Sequence, residues 1–168
     1  EMREHGVPEW YIDSCKKIKY MFPKAHAVAY VTMAFRIAWF KVHIPLAYYA
    51  AYFSIRADEF DSECMIHGKE KVKAKMKEIE QQGNNATQKD KGMYTILEIV
   101  LEFYERGFDF LPIDLYKSHS NKFQIEDGKI RPPLSSIAGL GGIAAENIYQ
   151  AAKDGQFMCI DDLQLRAK

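Results

Sequence analysis

Apolar positions recur at helical spacing along most of this chain, and the texture changes near residue 108. Tyr11, Cys15, Ile18 and Met21 share one face of Pro8–Met21, which predicts a helix with Pro8 in its first turn. Pro23 cannot continue that helix and holds Phe22 extended. Lys24–His43 then reads as a second helix with two bulky stripes. At about 100° per residue, Val28, Val31, Phe35, Trp39 and Val42 form one stripe, and His26, Tyr30, Met33, Ile37 and Phe40 the other. A narrow face of Ala25, Ala29, Thr32, Arg36 and His43 runs between them. Two apolar stripes predict a mostly buried helix.

Pro45 opens a third helix, Leu46–Arg56, rich in Tyr and Ala. Residues 69–82 form a charged helix with one thin apolar edge, Val72, Met76 and Ile79. The polar run 81–91 is a candidate flexible linker. Gly92–Arg106 is a further helix, with Ile96, Leu97, Val100, Leu101 and Tyr104 inward and Gly107 as its stop. Beyond it, Ile113–Tyr116 reads as a short strand. Lys122–Glu126 and Lys129–Arg131 flank Asp127-Gly128, a two-residue hairpin signal. The expected class is mainly α: a helical segment over 1–107, then a small α+β region over 108–168 with a β-hairpin.

Composition narrows the partners little. Of the 168 residues 27% are charged, and the net charge is zero, so no global field draws the chain to nucleic acid. The distribution is uneven: residues 1–57 hold eight Lys and Arg against four Asp and Glu. An electrostatic grip on phosphate is expected in that first third. Lys16, Lys17 and Lys19 fit either phosphate attraction or a solvated helix end favoured by the macrodipole. Three distant cysteines, Cys15, Cys64 and Cys159, make no CxxC pair, so buried free thiols in a reducing cytosol are expected. The charged start Glu1–Asp13 reads as no signal peptide. Arg36, Lys41, His43 and Pro45 interrupt the apolar stretch too soon for a membrane span.

Three clusters carry candidate chemistry. Tyr48, Tyr49, Tyr52 and Phe53 could stack on bases or form a packed aromatic core. Asp58, Glu59, Asp61 and Glu63 could bind a metal, though acidic charge at the start of a following helix explains them more simply. Residues 134–157 resemble a helix–hairpin–helix module, with a short helix, the turn Gly139-Leu140-Gly141-Gly142 and a second helix, Ile143–Lys153. Glycines there let the backbone reach positive φ and approach a phosphate, at which the amides of the turn and of the second helix's first turn point. Leu140, Ala144 and Ile148 are expected to lock the two helices. Such a module grips duplex backbone without reading sequence. FMCIDDLQLR, after it, resembles the start of a second unit, with Cys159 at the capping position.

FPKAHAVAY with the aromatic-rich helix after it, KVHIPLAYYAAYFS, FSIRADEFD and LEIVLEFYERGFDFLPIDLYKS leading into IRPPLSSIAGLG resemble bacterial C-family replicative DNA polymerases. The likeness is to their PolC type and covers nearly the whole chain. It implies later fingers over 1–107 and a duplex-binding region over 108–168. Lys24 and His26 would match the family's KxH pair, which, with Tyr30 and Arg36, would contact nucleotide or template. Gly139, Leu140, Gly141 and Gly142 would bind the DNA backbone. Alternatively, His26 caps its helix and Arg36 satisfies a buried acid.

The family's chemistry uses Mg²⁺ held by palm acids that include an Asp-x-Asp pair. This chain has no Asp-x-Asp. The implied function is therefore that of a piece of a replicative polymerase: no metal bound and no polymerisation alone. The implied partners are primer–template duplex, deoxynucleoside triphosphate, the sliding clamp and other replisome proteins, in the cytoplasm at the nucleoid. Two rivals stand beside it. One is a non-catalytic helix–hairpin–helix DNA-binding protein. The other is an interaction or membrane-surface domain, which would expose the apolar face around Trp39 and Phe40.

Overall fold

A proline with φ −57° and ψ 138° leads into the first helix, α1 (Glu9–Lys17). Pro8 thus stands just outside the helix rather than in its first turn. The helix stops at Lys17, because Ile18 turns extended, instead of running to residue 21. The computed structural model describes residues 1–19, 23–56 and 59–167. The expectations for Met21, Phe22 and Asp58 lie outside them. Packing groups the chain into two units, residues 1–39 and 40–168.

In residues 1–39 the long second helix runs as α2 (Pro23–His26), a π-helical turn (Ala27–Val31) and α3 (Thr32–His43), whose last four residues count with the second unit. Its predicted burial is not observed. Val28 is 61% exposed and Phe35 73%, and Ile12 is the buried residue among those described in this unit. The two stripes fail for two reasons. Within residues 1–39 no described element covers them, and the π turn advances less per residue than an α-helix. Stripe residues before and after Ala27–Val31 therefore fall out of phase.

Residues 40–168 hold the core. Pro45 starts α4 (Pro45–Ile55), which buries Tyr49, Ala50 and Phe53. Phe53 is the hub, with ring centroids of Phe60, Phe103, Phe110 and Phe123 at 5.5, 5.9, 5.6 and 5.6 Å. The aromatic cluster of this helix is thus core, with Tyr48 and Tyr52 partly buried at its edge. Asp61 caps α5 (Ser62–Met65) by accepting from the Glu63 amide at 2.9 Å. α6 (Lys69–Gln82) lays Val72 and Ile79 into the same core as Ile96, Leu97, Val100 and Phe103 of α7 (Gln88–Glu105). Phe103 had no place in the sequence-derived face. Residues 81–91, read as a candidate linker, form the end of α6, a 3-10 turn at Gly83–Asn85 and the start of α7. α7 begins earlier than Gly92 because Thr87 and Asp90 form a reciprocal capping box.

The β-hairpin is as expected: β1 (Gln124–Glu126) pairs antiparallel with β2 (Lys129–Arg131). Asp127 and Gly128 both take positive φ, 51° and 75°, as a two-residue hairpin turn requires. The strand expected at Ile113–Tyr116 is absent. Asp114 Oδ1 accepts from the amides of Tyr116 and Lys117, which bends the chain into a turn. The hairpin's bridge partner is Phe110 instead, opposite Ile130. α8 (Gly142–Lys153) and α9 (Ile160–Arg166) complete the chain. Of the thiols, Cys64 alone is buried, whereas Cys15 is intermediate and Cys159 exposed. Burial, aided by Asp61, pushes the Cys64 thiol up to about 11.

One polar network ties α7 to the segment before α4. Glu102 accepts from Lys41 Nζ at 2.7 Å and from the Tyr49 hydroxyl at 3.0 Å. Arg106 donates to that hydroxyl and to the Lys41 carbonyl, each at 3.1 Å. Burial acts to raise the Glu102 carboxyl, but hydrogen bonds from Lys41 and Tyr49 outweigh it and hold it below its ordinary range. A depressed carboxylate contributes stability above its unfolded pKa, and that contribution is lost as pH falls through the lowered folded value. Glu102→Gln is therefore expected to cost about 1–2 kcal/mol at pH 7, discounted for partial exposure. It should also flatten the acid limb of stability below about pH 4. Urea unfolding at pH 7 and pH 3.5 checks both; equal losses at the two pH values would refute the linkage.

Candidate nucleic-acid interface

Lys24, His26, Tyr30 and Arg36 all stand exposed on the α2–α3 helix. The structure brings two of them together: the His26 and Tyr30 rings lie 4.2 Å apart across the π turn. Arg36 reaches Met33 Sδ at 4.0 Å and no buried acid among the described residues. His26 makes no side-chain cap and sits inside the helix. Exposed cations and an exposed ring pair can meet phosphates and bases. The π turn is the kind of local irregularity found at functional sites.

The glycine-rich turn is better defined. Its first arm is a 3-10 turn, Leu134–Ser136, rather than a helix. The amides of Leu134 and Ser135 bond to the carbonyls of His119 and Ser120 at 2.9 Å, and Ser62 Oγ donates to the Ser136 carbonyl at 2.8 Å. Leu140 N then closes onto the Ile137 carbonyl at 3.0 Å. Gly139 has φ +82°, a conformation side chains resist, so glycine is required there by the backbone. Gly141 and Gly142 differ. Gly141 has an ordinary φ of −68°, and a Cβ added at either would meet nothing within 4 Å. Their missing side chains leave open space over the start of α8.

Gly141 is the N-cap of α8 and has no side chain to cap it. The amides of Gly142, Ile143 and Ala144 thus have no helical acceptor and face outward with the positive end of the dipole. A phosphate fits such a site. The expected lock is shifted by one residue. Ala145 is the fully buried residue of α8's first turns, while Leu140, Ala144 and Ile148 are intermediate. At the far end, α9 starts at Cys159, which makes no side-chain cap. Asp162 Oδ2 accepts from the Met158 amide instead, at 3.0 Å.

The turn forms one wall of a cavity of about 490 Å³. Gln88, Lys89 and Gly92 from the first turns of α7 line the same space, with Glu59 and Asp61. Lys89 falls in the run expected to be a linker, and folding brings it into the same cavity lining as the turn. Glu59 is engaged by Arg56, whose Nη1 lies 3.3 Å from both carboxylate oxygens. Among the described residues no three His, Cys, Asp or Glu side chains converge as a metal site. No described helix is long and apolar enough to cross a membrane.

Residues 107–168 match a helix-hairpin-helix motif family. Over its full length the chain is similar to the DNA polymerase III PolC-type of several bacteria. It is 55% identical to that of Clostridium perfringens over 167 residues, 99% of this chain. It is 54% identical to those of Bacillus subtilis and Caldanaerobacter subterraneus over 168 residues, all of this chain. The chain spans 12% of the length of each of these relatives. Identity at this level along the whole chain makes it a homologue of one stretch of a PolC-type DNA polymerase III.

Proposed function

We propose that this homologue of PolC-type DNA polymerase III serves as fingers and duplex-binding parts of a replicative DNA polymerase. The reaction of the whole enzyme is template-directed transfer of a deoxynucleotide to a primer 3′ end. The observation that carries the reading is the turn at Gly139–Gly142, open and amide-lined over the α8 N-terminus, within a region matching a helix-hairpin-helix motif. In this reading residues 108–168 hold the product duplex by its backbone. Residues 1–107 present Lys24, His26, Tyr30 and Arg36 to nucleotide and template. Mg²⁺ would be held by acids outside this chain, so the chain's own residues bind and orient rather than catalyse. Deoxynucleoside triphosphate, a sliding clamp and the nucleoid would be the setting of that enzyme.

Binding of the chain to labelled primer–template and to single-stranded DNA, over a range of salt, tests the duplex grip. Preference for duplex is expected; equal or absent binding would overturn it. The fingers role has its own test in the longer polymerase. Lys24→Ala is expected to lower kcat/KM for nucleotide incorporation about tenfold or more, the scale of one lost charge-assisted contact in the transition state. Duplex affinity should be unchanged. Equal loss of both would assign Lys24 to folding instead.

The exposed apolar side chains of α3 favour a companion reading, that this helix is also an interaction surface. The two readings are compatible, since a fingers helix in a longer polypeptide has neighbours to pack against.

A further inference from the structure

The lining of the cavity beside the glycine turn includes one cation, Lys89, to which neither the motif match nor the relatives' names assign a role. Lys89 lies in the first turn of α7, whose positive dipole end disfavours a cation by about 0.3–1 kcal/mol. Asp90, the acid of that turn, is committed to the capping box with Thr87, at 2.6 Å to the hydroxyl and 3.0 Å to the amide. The Lys89 side chain is exposed and makes no ion pair or hydrogen bond among the described residues. An unpaired lysine held at the wrong end of a helix, beside an amide-lined turn, has its charge available for an anion. Ser135 lines the same cavity, and its buried Oγ has no partner among the described residues.

We propose that Lys89 is a second phosphodiester contact, in the same cavity lining as Gly139–Gly142, so that a duplex strand is held at two backbone positions. This rests on the duplex-binding reading and extends it to a helix outside the matched motif. Glu59 and Asp61 define where the strand can run. Both acids line the cavity, so a phosphate is expected on the side of Lys89 and Gly141, which stand exposed. Arg56 pairs with Glu59 at 3.3 Å, and the Glu63 amide donates to one oxygen of Asp61, which keeps its negative charge.

The test is the salt dependence of binding of the full chain to a fluorescent primer–template duplex. Each phosphate neutralised contributes about −0.9 to the slope of log affinity against log salt. Lys89→Ala is expected to reduce the slope by about 1 and to lower affinity several-fold at low salt. Lys77→Ala, on α6 outside the cavity lining, should leave the slope unchanged. Circular dichroism should show both variants folded, since alanine is a better helix former than lysine. An unchanged slope for Lys89→Ala, while Gly141→Val still abolishes binding, would overturn this proposal and leave the hairpin reading standing. An equal drop for Lys77→Ala would also overturn it, as diffuse attraction. Absence of duplex binding by the unmodified chain at low salt would remove both.

Discussion

Phe53→Ala is expected to destabilise residues 40–168 by about 3–5 kcal/mol, the usual cost of truncating a buried phenylalanine. Phe53 is fully buried and touches rings from four separate segments of chain. Removing it leaves a cavity that Phe60, Phe103, Phe110 and Phe123 cannot all close at once, because each is anchored by a different element. Domains of this size are stable by about 5–15 kcal/mol, so the variant would be near its limit. The effect reaches the proposed interface. Phe123 N donates to Ser54 Oγ at 3.0 Å, and Phe110 bridges to Ile130, so the loop that carries the glycine turn is fixed through this cluster. Chemical unfolding followed by tyrosine fluorescence and circular dichroism measures it. A loss below about 1 kcal/mol would mean that the ring is not the hub of the core.

Gly141→Val is expected to lower duplex affinity at least tenfold with no loss of fold. The backbone at Gly141 is ordinary, and a Cβ there enters empty space. That space is where a phosphate must come to reach the α8 amides, so a branched side chain there obstructs the ligand, at a cost of about 1 kcal/mol for the poorer N-cap. Gly139→Val is the contrasting variant. Gly139 sits at φ +82°, so valine should cost about 1–3 kcal/mol of stability through backbone strain. The pair separates a glycine needed by the fold from one needed by the ligand. Duplex titration with parallel thermal melts reads both. Full affinity in a folded Gly141→Val chain would sink the phosphate-cradle reading.

Local signals were legible without any structure. The hairpin at Asp127-Gly128 follows from two residues that tolerate positive φ. The charged helix with its thin Val72–Ile79 edge follows from period alone, and the acidic start of the short helix after Asp61 from the macrodipole. The glycine turn was found at its true position. Where reading failed, a longer-range or finer effect decided. Ile113–Tyr116 has strand-like composition, but the Asp114 carboxylate took the amides that a ladder would have used. Phe103 lies outside the expected face of α7 because its ring packs both on Phe53, fifty residues away, and on Phe108 and Phe110 of the loop that folds back after the helix.

The exposure of the α2–α3 helix marks the limit most plainly. Its sequence determined that a helix forms and that its side chains are apolar, because propensity and period are properties of neighbouring residues. Whether those side chains are buried depends on what packs against them, and within residues 1–39 no described element covers them. Lys89 makes the same point for the site. Its identity and charge are written in the sequence, but its place beside Gly139–Gly142 results from α7 and the turn packing around the core. Local interactions are encoded residue by residue. The meeting of residues fifty positions apart is settled only by the fold, through the burial of the aromatic core that draws them together.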